Sequence, residues 1–192
     1  MEADRYTELR QRKRELDDAQ QVVERLEEEL WDVVADVQPD DPPVDEETGK
    51  KGRLRGPDRG VQSATAEALR VSTAHVRDKK TKVRAGRVGA KKPARVLSRE
   101  QAEARFADLI SRNEEGKTPL DEAHDAVDAA RYALHAEIVR LAPYRGRSKT
   151  AGKPDEGFEG IAEIRKITGY TQWHVDRIRA ASAGDPPEDP VE

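Results

Sequence analysis

The sequence has no cysteine, few aromatics and no long apolar run, and each absence removes a class of protein. Without cysteine there can be no disulfide scaffold, thiolate zinc site or cysteine nucleophile. Aromatic residues make up 4% and hydrophobic residues 35% of the 192 positions, less apolar mass than an ordinary domain of that length carries. That argues against one large enzyme core and for helices with narrow apolar stripes. No apolar stretch approaches the ~20 residues of a membrane helix, and the opening segment MEADRYTELRQRKRE lacks a signal peptide's apolar centre. No membrane partner is expected. No Ser/His/Asp triad, paired-carboxylate or glycine-rich catalytic pattern stands out, so neither catalysis nor a cofactor is expected. His124 and His135 fall on roughly one helix face but form no i, i+4 pair, so no metal site is expected either.

Charge is abundant and segregated. Charged residues fill 39% of the chain, with a net charge of −4. From Glu15 to Glu47 there are fourteen acids and one base, Arg25; from Lys50 to Arg95 there are fifteen bases and three acids. A block of +12 beside one of −13 is not a solvated mixture, and clustered Lys and Arg attract phosphate backbones. The acidic block could also shield the basic one when no nucleic acid is bound. The abundance of Ala, Arg, Asp, Glu and Val fits a high-GC bacterial, phage or plasmid gene.

The apolar periodicity predicts an all-α chain. Tyr6, Leu9, Leu16, Ala19, Val22, Val23, Leu26, Leu30, Val33, Val34 and Val37 recur at helical or heptad spacing, giving one long helix over 4–37. QPDDPP ends it, and 38–60 read as an acidic, Pro-rich loop. A helical pair is predicted over 61–82 and a basic linker over 83–97. The capping box SREQ opens a helix at 98–113. Thr118 caps another over 118–141, with Pro119 at its first position. A basic loop over 142–156, a second helical pair over 157–182 and a disordered acidic tail over 183–192 complete the chain.

The halves, 1–82 and 98–182, resemble each other. Arg5-Tyr6-x-Glu8-Leu9 parallels Arg105-Phe106-x-Asp108-Leu109, and Leu16-Asp17-Asp18-Ala19 parallels Leu120-Asp121-Glu122-Ala123. Val23, Leu30, Val34 and Val37 face Val127, Leu134, Ile138 and Leu141, and His75-Val76 parallels His174-Val175. The expectation is two tandem copies of a long helix or hairpin, a loop and a terminal helical pair.

The helical pairs carry the functional signal. In GIAEIRKITGYTQWHVDRIRAA (160–181), Ile161, Ile164 and Ile167 form an inner stripe, Gly169 the turn, Thr171 the cap, and Val175 and Ile178 the anchors. In VQSATAEALRVSTAHVRDKKTK (61–82), Ala66 and Leu69 face inward, Ser72 caps and Val76 anchors; the turn, Arg70-Val71, reads as one residue shorter and lacks the glycine. Both segments resemble the helix-turn-helix of bacterial regulators, resolvase C-termini and sigma-type domains, over about 45 of the 192 residues. That resemblance implies a second helix in the DNA major groove. The base-reading candidates are Ser72, Thr73, His75, Arg77, Thr171, Gln172, Trp173, His174 and Arg177. The phosphate-contact candidates are Lys79, Lys80, Lys82, Arg84, Arg87, Lys91, Lys92, Arg145, Arg147, Lys149, Lys153 and Arg179.

GRSKTAGKP (146–154) lacks the P-loop's spacing and its Ser or Thr, so nucleotide binding is not expected. Trp31 is expected in a core or dimer interface; Trp173 could face DNA or pack against its own unit. The expected function is double-stranded DNA binding in transcription regulation, DNA organisation or recombination, in the cytoplasm at the nucleoid. A homodimer through the long helices stays open. The alternatives are a coiled-coil adaptor with a protein partner and an RNA binder using the basic linker.

Overall fold

The computed structural model describes residues 4–37, 57–144 and 159–184. Among these residues every regular element is an α-helix: α1 (Thr7–Val37), α2 (Pro57–Ala68), α3 (Thr73–Gly89), α4 (Arg99–Ile110), α5 (Pro119–Leu141), α6 (Glu159–Thr168) and α7 (Gln172–Ser182). The all-α expectation holds. Of the loops expected over 38–60 and 142–156 and the tail expected over 183–192, residues 38–56, 145–156 and 185–192 lie outside the described residues, and residues 57–60 are not loop but the first turn of α2. The chain divides into two compact units, one of residues 1–21 and 124–192, the other of 22–123. The long helices α1 and α5 each contribute to both.

In the second unit, 22–123, the inner stripe of α1 supplies Leu30, Trp31, Val33, Val34 and Val37 to the core. Ala66 of α2, Val76 of α3 and Ala102, Phe106 and Leu109 of α4 close it. Trp31 is thus a core residue, 7% exposed. In the first unit, Leu9 and Leu16 of α1, Val127, Leu134 and Ile138 of α5, Ile161 and Ile164 of α6 and Val175 of α7 are buried. At Gly160 a Cβ would come within 2.9 Å of the Tyr6 hydroxyl. A glycine at the start of α6 is therefore what lets the N-terminal end of α1 approach it.

Helix starts follow local chemistry. Ser98 accepts from the Gln101 amide at 3.2 Å while Gln101 accepts from the Ser98 amide at 3.1 Å, the reciprocal capping box. Thr118 and Asp121 make the same exchange at the start of α5, at 3.1 and 3.2 Å. The Thr118 amide and then the Thr118 hydroxyl, both donating to Asp121, hold its carboxyl below the ordinary value.

Two further expectations are corrected. Residues 83–89 are not linker: α3 continues through Gly86 to Gly89, leaving Ala90–Leu97 to reach the Ser98 cap. Tertiary contact outweighs the two glycines, because Arg84 and Arg87 from these turns bond the C-terminal end of α1. The first helical turn is also not shorter. Arg70 takes a left-handed conformation (φ 52°), and Ser72 caps α3 two residues later; Gly169 (φ 74°) and Thr171 stand in the same relation.

Candidate nucleic-acid interface

In each helical pair the second helix starts from a hydroxyl cap. Ser72 accepts from the His75 amide at 3.2 Å and Thr171 from the His174 amide at 3.3 Å. Such a cap satisfies an otherwise orphaned donor and contributes about 1 kcal/mol. Four residues past each cap sits a fully buried valine, Val76 or Val175, each 0% exposed. Every other candidate reader in these first turns is exposed: Thr73, His75 and Arg77 on α3, Gln172, Trp173, His174 and Arg177 on α7.

The two surfaces differ in character. On α3 the outer residues are cationic: Arg77, Lys79 and Lys82 are exposed, with Lys80 half-buried at the flank, and Lys91 and Lys92 are exposed just beyond. On α7 they are aromatic. Trp173 is 40% exposed, carries the Arg177 guanidinium over its ring at 5.0 Å, and meets the His174 ring edge-on at 5.1 Å. The His174 ring continues to Tyr170 at 5.9 Å and on to His135 of α5 at 6.0 Å. Burial, then the nearby Arg131, hold His135 below its ordinary pKa. Burial pushes the Tyr170 hydroxyl up, against the opposing pull of Arg131 and Lys13. In the other unit His75 meets Trp31 of α1 at 6.1 Å.

Three phosphate-contact candidates are used inside the fold. Arg87 is 4% exposed and ion-pairs with the buried Asp36, and with Asp32 at 2.9 Å. Burial opposes its charge, but the hydrogen bonds to Asp36 and Asp32 prevail and its pKa is raised. Asp36 also accepts from the Val96 and Leu97 amides, both at 3.2 Å, tying down the segment after α3. The acidic and basic sequence blocks therefore meet here in a structural pair. Arg84 donates to the Ala35 carbonyl at 2.8 Å. Arg179, 4% exposed, donates to the Ala142 carbonyl at 2.7 Å and the Pro143 carbonyl at 3.1 Å. Arg5 adds a bond to the Leu141 carbonyl at 2.9 Å. The C-terminal carbonyls of α1 and α5 thus receive guanidinium donors from elsewhere in their units, which suits both the orphan acceptors and the helix dipole. Arg87 and Arg179 are buried and drop out of the phosphate-contact set. Arg145, Arg147, Lys149 and Lys153 lie outside the described residues.

Sequence reasoning missed one basic site. Arg10, Lys13 and Arg14 of α1 line an open groove with Glu163, Lys166 and Ile167 of α6. The run Arg10-Gln11-Arg12-Lys13-Arg14 signals it, but it precedes the acidic block and its four charges are offset by Glu2, Asp4, Glu8 and Glu15 around it.

Among the described residues no helix is long and apolar enough to cross a membrane. No protein-family model matches the chain, and no curated protein or solved structure is significantly similar to it.

Proposed function

We propose that this chain binds double-stranded DNA through two helix-turn-helix units, α2–α3 and α6–α7, as a transcription regulator or a DNA-organising or recombination accessory factor. One observation carries the reading: at both pairs a hydroxyl cap and a buried valine fix the second helix, and the polar, basic and aromatic residues between and beside them face outward. Residues 72–77 and 171–177 then read base edges, while Lys79, Lys80, Lys82, Lys91 and Lys92 meet phosphate. Two such units in one chain raise the effective concentration of the second contact once the first is made.

Internal duplication supports the two-unit reading. Ser72 and Thr171, Arg70 and Gly169, and Val76 and Val175 are each 99 positions apart and play matching parts. The first unit joins the opening segment of one sequence copy to α5–α7 of the other, and the second unit mirrors this with α4. An exchange of N-terminal segments between two copies would give this division.

The test is fluorescence anisotropy with random-sequence duplex DNA at two salt concentrations. Binding that falls steeply with log salt supports DNA recognition. No binding at low salt overturns it in favour of a protein adaptor, and tighter binding to RNA overturns it in favour of an RNA binder.

A further inference from the structure

The groove between the N-terminal part of α1 and α6 has no part in the reading above. Four of its six lining residues are cations, Arg10, Lys13, Arg14 and Lys166, against one acid, Glu163. The cations are held in place from several sides. Glu163 lies 3.5 Å from Arg10 and 4.0 Å from Lys166, Asp4 engages Arg10 and Asp17 engages Lys13. Arg14 and Lys166 are exposed. The floor at Ile167 belongs to the last turn of α6, four residues before the Thr171 cap of α7. The groove therefore borders the start of the helix assigned to base reading.

We propose that this groove seats the sugar-phosphate backbone of the duplex that α7 engages, with Arg14 and Lys166 as its phosphate contacts. The proposal rests on the DNA-binding reading. A linear polyanion matches an open groove with several cations better than one small anion does, because each phosphate neutralised releases a counterion. Glu163 orients Arg10 and Lys166 and also repels phosphate, so its charge limits affinity. In the other unit Glu67 of α2, 99 positions before Lys166, is paired with Arg112 at 3.2 Å. In the first unit the groove supplies phosphate contacts beside an α7 surface that is aromatic where α3 is cationic.

The experiment measures the salt dependence of duplex-DNA affinity for the full chain, for the double variant Arg14→Gln/Lys166→Gln, for Glu163→Gln, and for Arg99→Gln/Arg112→Gln. The last makes the same charge change in the other unit. Arg14, Lys166, Arg99 and Arg112 are exposed and Glu163 is half-buried, and circular dichroism checks that each variant folds. The groove variant is expected to lose about two units of the log–log salt slope and about tenfold in affinity at moderate salt. Glu163→Gln should bind more tightly, and the control should keep nearly the wild-type slope. If the wild type binds but groove and control variants match, the groove is overturned and DNA binding stands. If the wild type does not bind duplex DNA at low salt, both fall.

Discussion

The two helical pairs make the same kind of turn from different residues, and the difference shows where each unit keeps its stability. The α2–α3 turn closes with two bonds: the Val71 amide reaches the Ala66 carbonyl at 2.9 Å and the Arg70 amide the Glu67 carbonyl at 3.1 Å. This double closure is the Schellman pattern, with a non-glycine residue in the left-handed position. The α6–α7 turn closes with the Gly169 amide on the Arg165 carbonyl at 2.8 Å and the Tyr170 amide on the Thr168 hydroxyl at 3.2 Å, and it relies on glycine. The second helices diverge as well. α3 runs for 17 residues with only Val76 and Arg87 buried, and its far end is held to α1 by charge. α7 has 11 residues and buries Val175, Arg179 and Ala180. A long, thinly packed helix needs its terminal ion pair, whereas a short one is held by its own inner face.

Breaking that ion pair should have the largest effect. Asp36→Ala leaves the Arg87 guanidinium buried beside Asp32 alone and frees the Val96 and Leu97 amides. Losing one partner of a buried pair costs several kcal/mol; with Asp32 still sharing the charge, the expected loss is about 3 kcal/mol. Each unit contains one of the chain's two tryptophans, Trp31 and Trp173. Urea titrations followed by Trp31 in a Trp173→Phe background should therefore show the destabilisation. Titrations followed by Trp173 in a Trp31→Phe background should change much less. Equal shifts at both probes would mean that the ion pair supports the chain as a whole. Replacing both partners with apolar residues of similar size should recover much of the loss, because the desolvation cost disappears with the charges.

A smaller effect sharpens the comparison of turns. No atom lies within 4 Å of a Cβ built on Gly169, so Gly169→Ala adds left-handed strain without a clash and should cost about 1 kcal/mol. Arg70→Gly relieves the same strain in the other turn, offset by greater unfolded-chain freedom, and should stabilise by at most about 1 kcal/mol. Thermal melts check both signs. If both substitutions destabilise, the Schellman closure tolerates Arg70 without strain and the two turns are not equivalent.

What was legible in the sequence was mostly local. Ser72, Thr171 and the Ser98 box announce themselves because a cap is chemistry over three residues. The apolar stripe of α1 is visible because it repeats over eight turns. The left-handed Arg70 is not, since no side chain signals a positive φ as glycine does, and the turn looked short as a result. The end of α3 was hidden for a different reason. Gly86 and Gly89 are helix breakers by propensity, and only contacts with a helix some fifty residues earlier keep them helical. Arg84, Arg87 and Arg179 looked like phosphate ligands because a guanidinium that bonds a helix end has the same sequence signature as one that bonds DNA. The groove cations Arg10, Lys13 and Arg14 stand together in the sequence, but their partner Lys166 is more than 150 positions away, so only the fold brings the groove together.

The smallest effect concerns the aromatic chain, where the second helix meets its long helix through different rings. His75 faces Trp31, whereas His174 reaches His135 through Tyr170. Trp31 does not titrate, but burial and then Arg131 place the folded pKa of His135 below its ordinary 6.5. Between those two values the unfolded chain binds the proton and the folded chain does not, so stability is lost as pH falls. Above about 6.5 both states are neutral and His135 is indifferent; the loss accrues from there down to the folded pKa and levels off below it. Asp4 and Glu15 in the same unit have lowered carboxyl pKa values, so their titration begins at more acid pH and does not overlap the upper part of this window. The Trp173 probe should therefore show the first unit weakening as pH falls from 6.5, and the Trp31 probe should not show this step. His135→Leu should flatten the Trp173 profile there while leaving its more acid limb in place. A persistent step in that variant would remove His135 as its source.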